Sequence, residues 1–241
     1  MSILGIDISA AQHPISDADW EIIANRYGFV YIENGLGNDR PSSTFDQFVA
    51  QAKNVGIRCG AYNFVEPLPT EPTRPGRDPR EQAKAHFASC KGLGTAPGDL
   101  MVMTDLEYPA PDLWGKPVPN VPNSVVNSTF VHDWILTYQD EAKSLWGYYP
   151  ILYSYRYFLA KLGPSPDYAA FLLWLADYSD APHVPPSWTV ATIWQESGGT
   201  GAKLPSGCNV DVDAIADQAT LDSITVTESS AITDPAPPTS G

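Results

Sequence analysis

Leu100-Met101-Val102-Met103-Thr104-Asp105-Leu106-Glu107 is an apolar run that ends on two acids, with Pro109-Ala110-Pro111 following after Tyr108. A short apolar run closed by turn residues is the mark of a buried strand. Side chains alternate faces along a strand, so Asp105 and Glu107 point the same way, with α-carbons about 6.6 Å apart. The reading places two carboxyls where a buried strand gives way to a loop.

Two carboxyls that close can divide labour, because like charges at short range push their pKa values apart. Glycoside hydrolysis needs this division: one carboxyl protonates the leaving oxygen and the other steadies the positive sugar centre. Spacing alone does not establish it. With 28 acids in 241 residues, about three acid-x-acid pairs arise by chance, and Asp17/Asp19, Asp19/Glu21 and Asp211/Asp213 share the spacing. The position of the 105/107 pair at a strand end is what distinguishes it.

Working outward, strand-like runs recur at 3–8, 28–33, 57–64, 100–107, 149–154, 172–177, 189–195 and 208–212, with helical segments between the earlier ones. Eight strands alternating with helices predict an α/β fold, a TIM-like barrel in a single domain. Phe45, Phe48, Val49, Ala52 and Val55 recur at helical spacing between Ser42-Ser43 and Gly56. A second helix opens at Asp78-Pro79 with Glu81 as capping-box partner and stops at Gly92. A third covers 124–146, with Phe130, Trp134, Ile135, Tyr138, Ala142 and Leu145 on one stripe. Later the helices dwindle: 155–162 forms about two turns, while 179–188 and 196–207, rich in Pro, Gly and Ser, read as loops. Two long proline-bearing segments, 66–79 and 108–123, follow the third and fourth strands, where barrels carry their sites, and are expected to wall a cleft.

The formal charge of −14 argues against nucleic acid as a partner, because phosphate binding needs a basic surface. Seven Trp and twelve Tyr suit a neutral sugar, whose rings pack on aromatic faces, although most aromatics are expected in the core. Cys59, Cys90 and Cys208 form no CxxC, and the four His show no short pairing, so neither a disulfide framework nor a metal or other cofactor is indicated. The first residues run straight into a strand pattern without signal-peptide character, and no run is long enough to insert in a membrane. The expectation is synthesis in the cytoplasm, with release by lysis or a dedicated exporter.

Other acids fall at equivalent places. Asp7 ends the first strand, and Asp211 lies in the last; the first and last strands of a closed barrel are neighbours, so both should face the 105/107 pair across one mouth. Four carboxyls at one rim favour function over stability. Asp177, at the end of the sixth strand, is a further candidate.

At this point the chain resembles glycoside hydrolase family 25, the muramidases of phage lysins and of bacterial and fungal lysozymes. The resemblance runs in order through most of residues 3–216. It is carried by Gly5-Ile6-Asp7-Ile8-Ser9, Ala52-Lys53-Asn54-Val55-Gly56-Ile57, Gly60-Ala61-Tyr62-Asn63-Phe64, Glu81-Gln82-Ala83-Lys84-Ala85-His86-Phe87 and Asp105-Leu106-Glu107. Ile151-Leu152-Tyr153-Ser154, Leu173-Trp174-Leu175-Ala176-Asp177-Tyr178, Trp194-Gln195 and Asn209-Val210-Asp211 complete it.

The resemblance implies an irregular (β/α)5β3 barrel over residues 1–224. It also implies cleavage of the β-1,4 bond between N-acetylmuramic acid and N-acetylglucosamine in bacterial peptidoglycan. Glu107 would be the general acid, with Asp105, Asp7 and Asp211 shaping the charge around it. Tyr62, Phe64, Glu33, Glu66, Tyr153, Trp174, Asp177 and Trp194 are the candidate substrate contacts. A substrate-assisted route, with the sugar's own acetamido oxygen attacking, is favoured over a covalent ester on Asp105. Two positions depart from the family pattern: Ile32-Glu33-Asn34-Gly35 replaces a lysine-alanine-x-glutamate-glycine type of segment, and Glu66-Pro67 stands where a basic residue before proline is common. Residues 225–241 read as a Pro/Ser/Thr-rich linker to a wall-binding module, as in a phage-encoded lysin. The rival readings are a wall-binding or virion structural domain with weak catalysis, and a hydrolase of another N-acetylhexosamine polymer.

Overall fold

A computed structural model of the chain describes residues 2–37, 40–70, 77–107 and 127–228. Its strands are β1 (Ile3–Ile8), β2 (Phe29–Leu36), β3 (Arg40–Pro41), β4 (Arg58–Phe64), β5 (Met103–Asp105), β6 (Ile151–Tyr155), β7 (Leu173–Ala176), β8 (Ile193–Lys203) and β9 (Asn209–Ile215). Apart from β3, a short antiparallel addition to β2, they close into an eight-stranded barrel in the order β1-β2-β4-β5-β6-β7-β8-β9, with β9 returning to β1. Neighbours from β1 to β8 pair in parallel, whereas β9 runs antiparallel to both β8 and β1. The helices are α1 (Asp17–Arg26), α2 (Phe45–Asn54), α3 (Pro79–Cys90), α4 (Ser128–Trp146), α5 (Arg156–Leu162) and α6 (Gln218–Ser223). The first five connect parallel strands, and none separates β7, β8 and β9, so the barrel is the irregular (β/α)5β3 form.

Local chemistry explains most of these boundaries. Asp78 caps α3 by accepting from the N–H groups of Arg80 and Glu81 at 2.8 and 3.3 Å, and Pro79 occupies the first turn, where a missing N–H costs nothing. Glu81 does not close a capping box; it pairs with Lys84 at 3.0 Å instead. Helix α1 has the capping box: Ser16 and Asp19 satisfy each other's backbone N–H. Sequence patterning assigns no element to this segment, where it marks only the acid-x-acid spacing of Asp17, Asp19 and Glu21. Helix α4 starts at Ser128 under an Asn127 cap and ends on Gly147 at φ +81°.

The expected loop at 196–207 is corrected. Residues 196–203 continue β8 and form a hairpin with β9, whose register shifts twice between Gln195 and Ala202. Gly and Ser have low strand propensity, but Ser197, Ala202 and Lys203 pair with Val212, Val210 and Asn209 and so bracket the Gly-rich stretch between them. The fourth strand is shorter than the 100–107 expected: hydrogen-bonded strand ends at Asp105, and Glu107 lies just beyond it. The packed chain also passes residue 224, since Val226 is buried and its N–H donates to the Asp99 carbonyl at 2.8 Å. Residues 229–241 lie outside the described residues.

The core has two compartments. Between strands and helices packs an apolar layer that includes Ile8, Trp20, Phe48, Val102, Ile135 and Trp146. Inside the barrel lie Phe29, Tyr31, Tyr62, Tyr153 and Trp174, with Leu221 and Ile224 plugging the bottom. Such rings fit because neighbouring strands present glycine: a Cβ on Gly5 would stand 2.2 Å from the Phe29 ring, and one on Gly60 2.5 Å from Tyr31. The interior is therefore filled below the mouth, which confines chemistry to the rim.

Candidate active site

The rim gathers the acids by register. Asp7, near the end of β1, pairs with Asp211 of β9; because β9 runs antiparallel, it is the start of β9 that reaches the mouth. Asp105 ends β5 between Phe64 of β4 and Tyr153 of β6. Glu33 of β2 sits opposite Tyr62 of β4. The chain beyond Asp105 stays tied to β6, with Leu106 N–H donating to the Tyr153 carbonyl at 2.9 Å and Ser154 Oγ to the Leu106 carbonyl at 2.6 Å. That tether carries Glu107 over the rim.

These carboxyls hold protons unusually well. Burial, and then the Asp211 charge, raise Glu107 to about 7. Burial first and Asp211 next raise Asp7 to about 7, although a hydrogen bond from Gln195 opposes the shift. Asp105 is raised well above the carboxylate range by burial, with Glu107, Asp7 and Glu33 adding to it. Its Oδ1 is buried with no partner. Burial also raises Asp211, against the Gly199 N–H that donates to it. The cluster cannot ionise fully at neutral pH, so it keeps transferable protons at the mouth.

Sequence reasoning missed four residues here. Gln195 Nε2 donates to Asp7 Oδ2 at 2.7 Å, while Gln195 Oε1 accepts from the Tyr153 and Tyr178 hydroxyls at 3.0 and 2.9 Å. Asp213, fully buried inside the barrel, accepts from Trp174 Nε1 at 3.0 Å and is raised well above its ordinary range, chiefly by burial. Strand alternation held the signal for both: Gln195 must face opposite to Trp194, and Asp213 the same way as Asp211. Tyr155 and Tyr178 flank Glu107 in a hollow of about 380 Å³, together with Tyr153, Arg156, Tyr157 and Asp177. A second hollow, of about 440 Å³, is lined by Gln12, His13, Asn209 and Gly199, the residue whose N–H donates to Asp211.

The remaining candidates divide. Tyr62 and Tyr153 face the acids from inside the barrel, and burial holds both hydroxyls neutral. Phe64 is partly buried beside Asp105. Trp174 is withdrawn as a sugar contact: it is wholly enclosed, packed 4.7 Å from the Tyr31 ring. Trp194 faces outward in register with Leu175, and its Nε1 donates to the Asp177 carbonyl at 2.7 Å. Asp177 lines the Glu107 hollow, but its carboxylate accepts from Ser179, from the His183 N–H and from His183 Nδ1. Glu66 is paired with Arg40 at 2.7 Å, so a cation answers the acid that departs from the family pattern. Of the two loops expected to wall a cleft, 108–123 lies outside the described residues and 66–79 does so in part. No group of three or more His, Cys, Asp or Glu among the described residues is arranged to hold a metal ion. No described helix is long and apolar enough to cross a membrane.

An acid-rimmed barrel with a proton-holding Glu beside an aromatic hollow has the build of a glycoside hydrolase. The sequence model described as Glycosyl hydrolases family 25 matches residues 6–200, and the chain belongs to this family. It is a glycoside hydrolase of the lysozyme and muramidase type. Among solved structures, a muramidase from Acremonium alcalophilum is 25% identical at a TM-score of 0.72, covering 92% of this chain and 98% of that one. A bacterial lysozyme from Streptomyces coelicolor is 21% identical at a TM-score of 0.75, covering 92% and 96%. A family GH25 lysozyme from Aspergillus fumigatus is 21% identical at 0.72, covering 93% and 99%. No curated protein matches the chain.

Proposed function

We propose that the protein cleaves the β-1,4 bond between N-acetylmuramic acid and N-acetylglucosamine in bacterial peptidoglycan, with Glu107 as general acid. The observation that carries this reading is Glu107 itself: a carboxyl with a pKa of about 7 that borders a tyrosine-lined hollow. The family membership and the solved relatives described as muramidase and lysozymes support the substrate class.

In the proposed reaction Glu107 gives its proton to the glycosidic oxygen as the bond to the anomeric carbon breaks. The acetamido oxygen of the same sugar closes onto that carbon. Asp105 serves the acetamido group: a carboxyl oxygen already stripped of water and without a partner gains most when a substrate N–H fills its vacancy. Glu107, now ionised, takes a proton from the water that reopens the ring and restores the starting state. Asp7 and Asp211 keep negative potential beside the developing positive charge, and Tyr62 and Tyr153 offer neutral hydroxyls to the sugar.

Clearing of a peptidoglycan suspension by the purified chain, with muropeptides bearing new reducing-end muramic acid, is the expected result. Binding without clearing would support a structural wall domain instead. Activity confined to chitin would indicate another N-acetylhexosamine polymer, and an isolable ester on Asp105 would replace the acetamido route.

A further inference from the structure

Resting on the peptidoglycan reading, we infer that a second groove, beside the Glu107 hollow, holds the peptide branch of the substrate, with Arg156 binding one of its carboxylates. Arg156 opens α5 directly after Tyr155, the last residue of β6, and lines both cavities. On one side lies the hollow of Glu107 and Tyr178; on the other, a groove of about 370 Å³ runs between α5 and the 183–188 loop. The two spaces therefore meet at a guanidinium.

The walls and the charge select the occupant. Leu159, Ala160, Val184, Pro185 and Trp188 give the groove an apolar lining suited to small methyl-bearing side chains. Its wall is firm: Trp188 stacks on Tyr168 at 5.7 Å and its Nε1 donates to the Phe171 carbonyl at 2.9 Å. Arg156 is the one Lys or Arg among the described residues lining either cavity. Among those residues no carboxylate pairs with it, in a chain that carries 28 acids against 14 Lys and Arg. The Arg156 guanidinium lies 5.9 Å from the centre of the Tyr157 ring, a contact that leaves the positive charge uncancelled and complementary to an anion from outside. Peptidoglycan supplies one close by. The muramic acid at the cleaved bond carries, through its lactyl ether, a short peptide of alanine methyls and free carboxylates, and this branch must leave the sugar within reach of Glu107. Arg156 is thus a specificity-determining residue for peptide-bearing chains.

The test compares two substrates: native peptidoglycan, and the same glycan after an amidase has stripped its peptides. Arg156→Gln should lower kcat/KM on the native glycan roughly tenfold more than on the stripped glycan, the loss of one charge-assisted contact that only the peptide-bearing chain makes. Ala160→Glu, at an exposed position one helical turn after Arg156, should occupy the guanidinium from within the chain and reproduce the selective loss with Arg156 still present. Equal losses on both substrates, or none on either, would overturn the peptide site while leaving the muramidase reading standing. Inactivity of the unaltered protein on both glycans would instead overturn the reading beneath it.

Discussion

In the half of the mouth made by β4, β5 and β6 the backbone positions the acids and no described side chain or loop clasps the Asp105 Oδ1, whereas in the half made by β8, β9 and β1 side-chain and loop hydrogen bonds hold the carboxyls themselves. Asp105 is aligned between Phe64 and Tyr153 by the parallel ladder, and its Oδ1 is left buried without a partner. Asp7 is instead clasped by Gln195, itself held by two tyrosine hydroxyls, and Asp211 takes the Gly199 N–H. A buried acceptor without a donor costs about 1–3 kcal/mol. The acid left in that state is the one that gains most from a substrate, and the clasped acids are those that need only keep their place. The contrast separates groups that act on sugar from groups that tune the field around it.

The strongest way to break that division is at the unclasped half. Glu107→Gln keeps the shape and removes the proton, so kcat should fall by about 10²–10⁴-fold with the fold unchanged by circular dichroism. Asp105→Asn should follow with a loss of about 10²-fold, the scale seen when one pre-set electrostatic partner of a transition state is removed. Full activity in either variant would remove that residue from the chemistry. The unaltered enzyme should lose kcat as pH rises through about 7, because Glu107 then gives up the proton it has to donate. That descending limb should disappear in Glu107→Gln.

Clasped acids should respond more mildly and in a different observable. Gln195→Met removes the donor that lowers Asp7, so Asp7 should hold its proton to a pH above about 7. We expect a loss of roughly tenfold in kcat, on the order of one hydrogen bond to a charged group, with the pH profile displaced upward. A loss with no displacement would mean that Gln195 only fills space. Tyr178→Phe probes the same clasp from its exposed end and should have a smaller effect, since Tyr153 still holds the amide oxygen.

The same division explains what could be read from the sequence. The regular half was legible because its signals are local: apolar periodicity gave α2 and α4, the Asp78-Pro79 cap gave α3, and the run into Asp105 gave β5. Asp7 beside Asp211 followed from barrel closure alone, a topological rule that does not depend on local propensity. The irregular half was not legible, because the later part of β8 includes Glu196-Ser197-Gly198-Gly199-Thr200-Gly201, a stretch without local strand signal that is bracketed by the pairings of Ser197, Ala202 and Lys203 with β9. Missing that hairpin hid Gly199, the donor that holds Asp211; Gln195, which holds Asp7, lay inside the expected strand 189–195, where alternation from Trp194 held its signal. Trp174 was placed at the sugar because strand alternation gives a residue's face but not its depth. Its register neighbour Tyr153 reaches the acids while Trp174 stays in the interior layer.

Depth also sets the smallest expected effect. Asp213 lies beneath the clasped acids, fully buried, with one oxygen on Trp174 Nε1 and the other unpaired. Its pKa in the folded chain stands well above the ordinary aspartate value of 3.8, chiefly through burial, so the folded state binds a proton that the unfolded state releases as pH rises past that value. Stability contributed by this group is therefore greatest below about pH 4 and declines with rising pH by up to about 1.4 kcal/mol per unit until Asp213 itself ionises. Asp213→Asn keeps the oxygen that Trp174 needs and abolishes the titration. Its Tm should match that of the unaltered protein near pH 4 and exceed it by a few degrees at pH 8, with kcat nearly unchanged. A variant whose Tm advantage did not grow with pH would show that Asp213 is ionised in the folded barrel. A variant that lost kcat would move Asp213 from the scaffold below the mouth into the working half of the site.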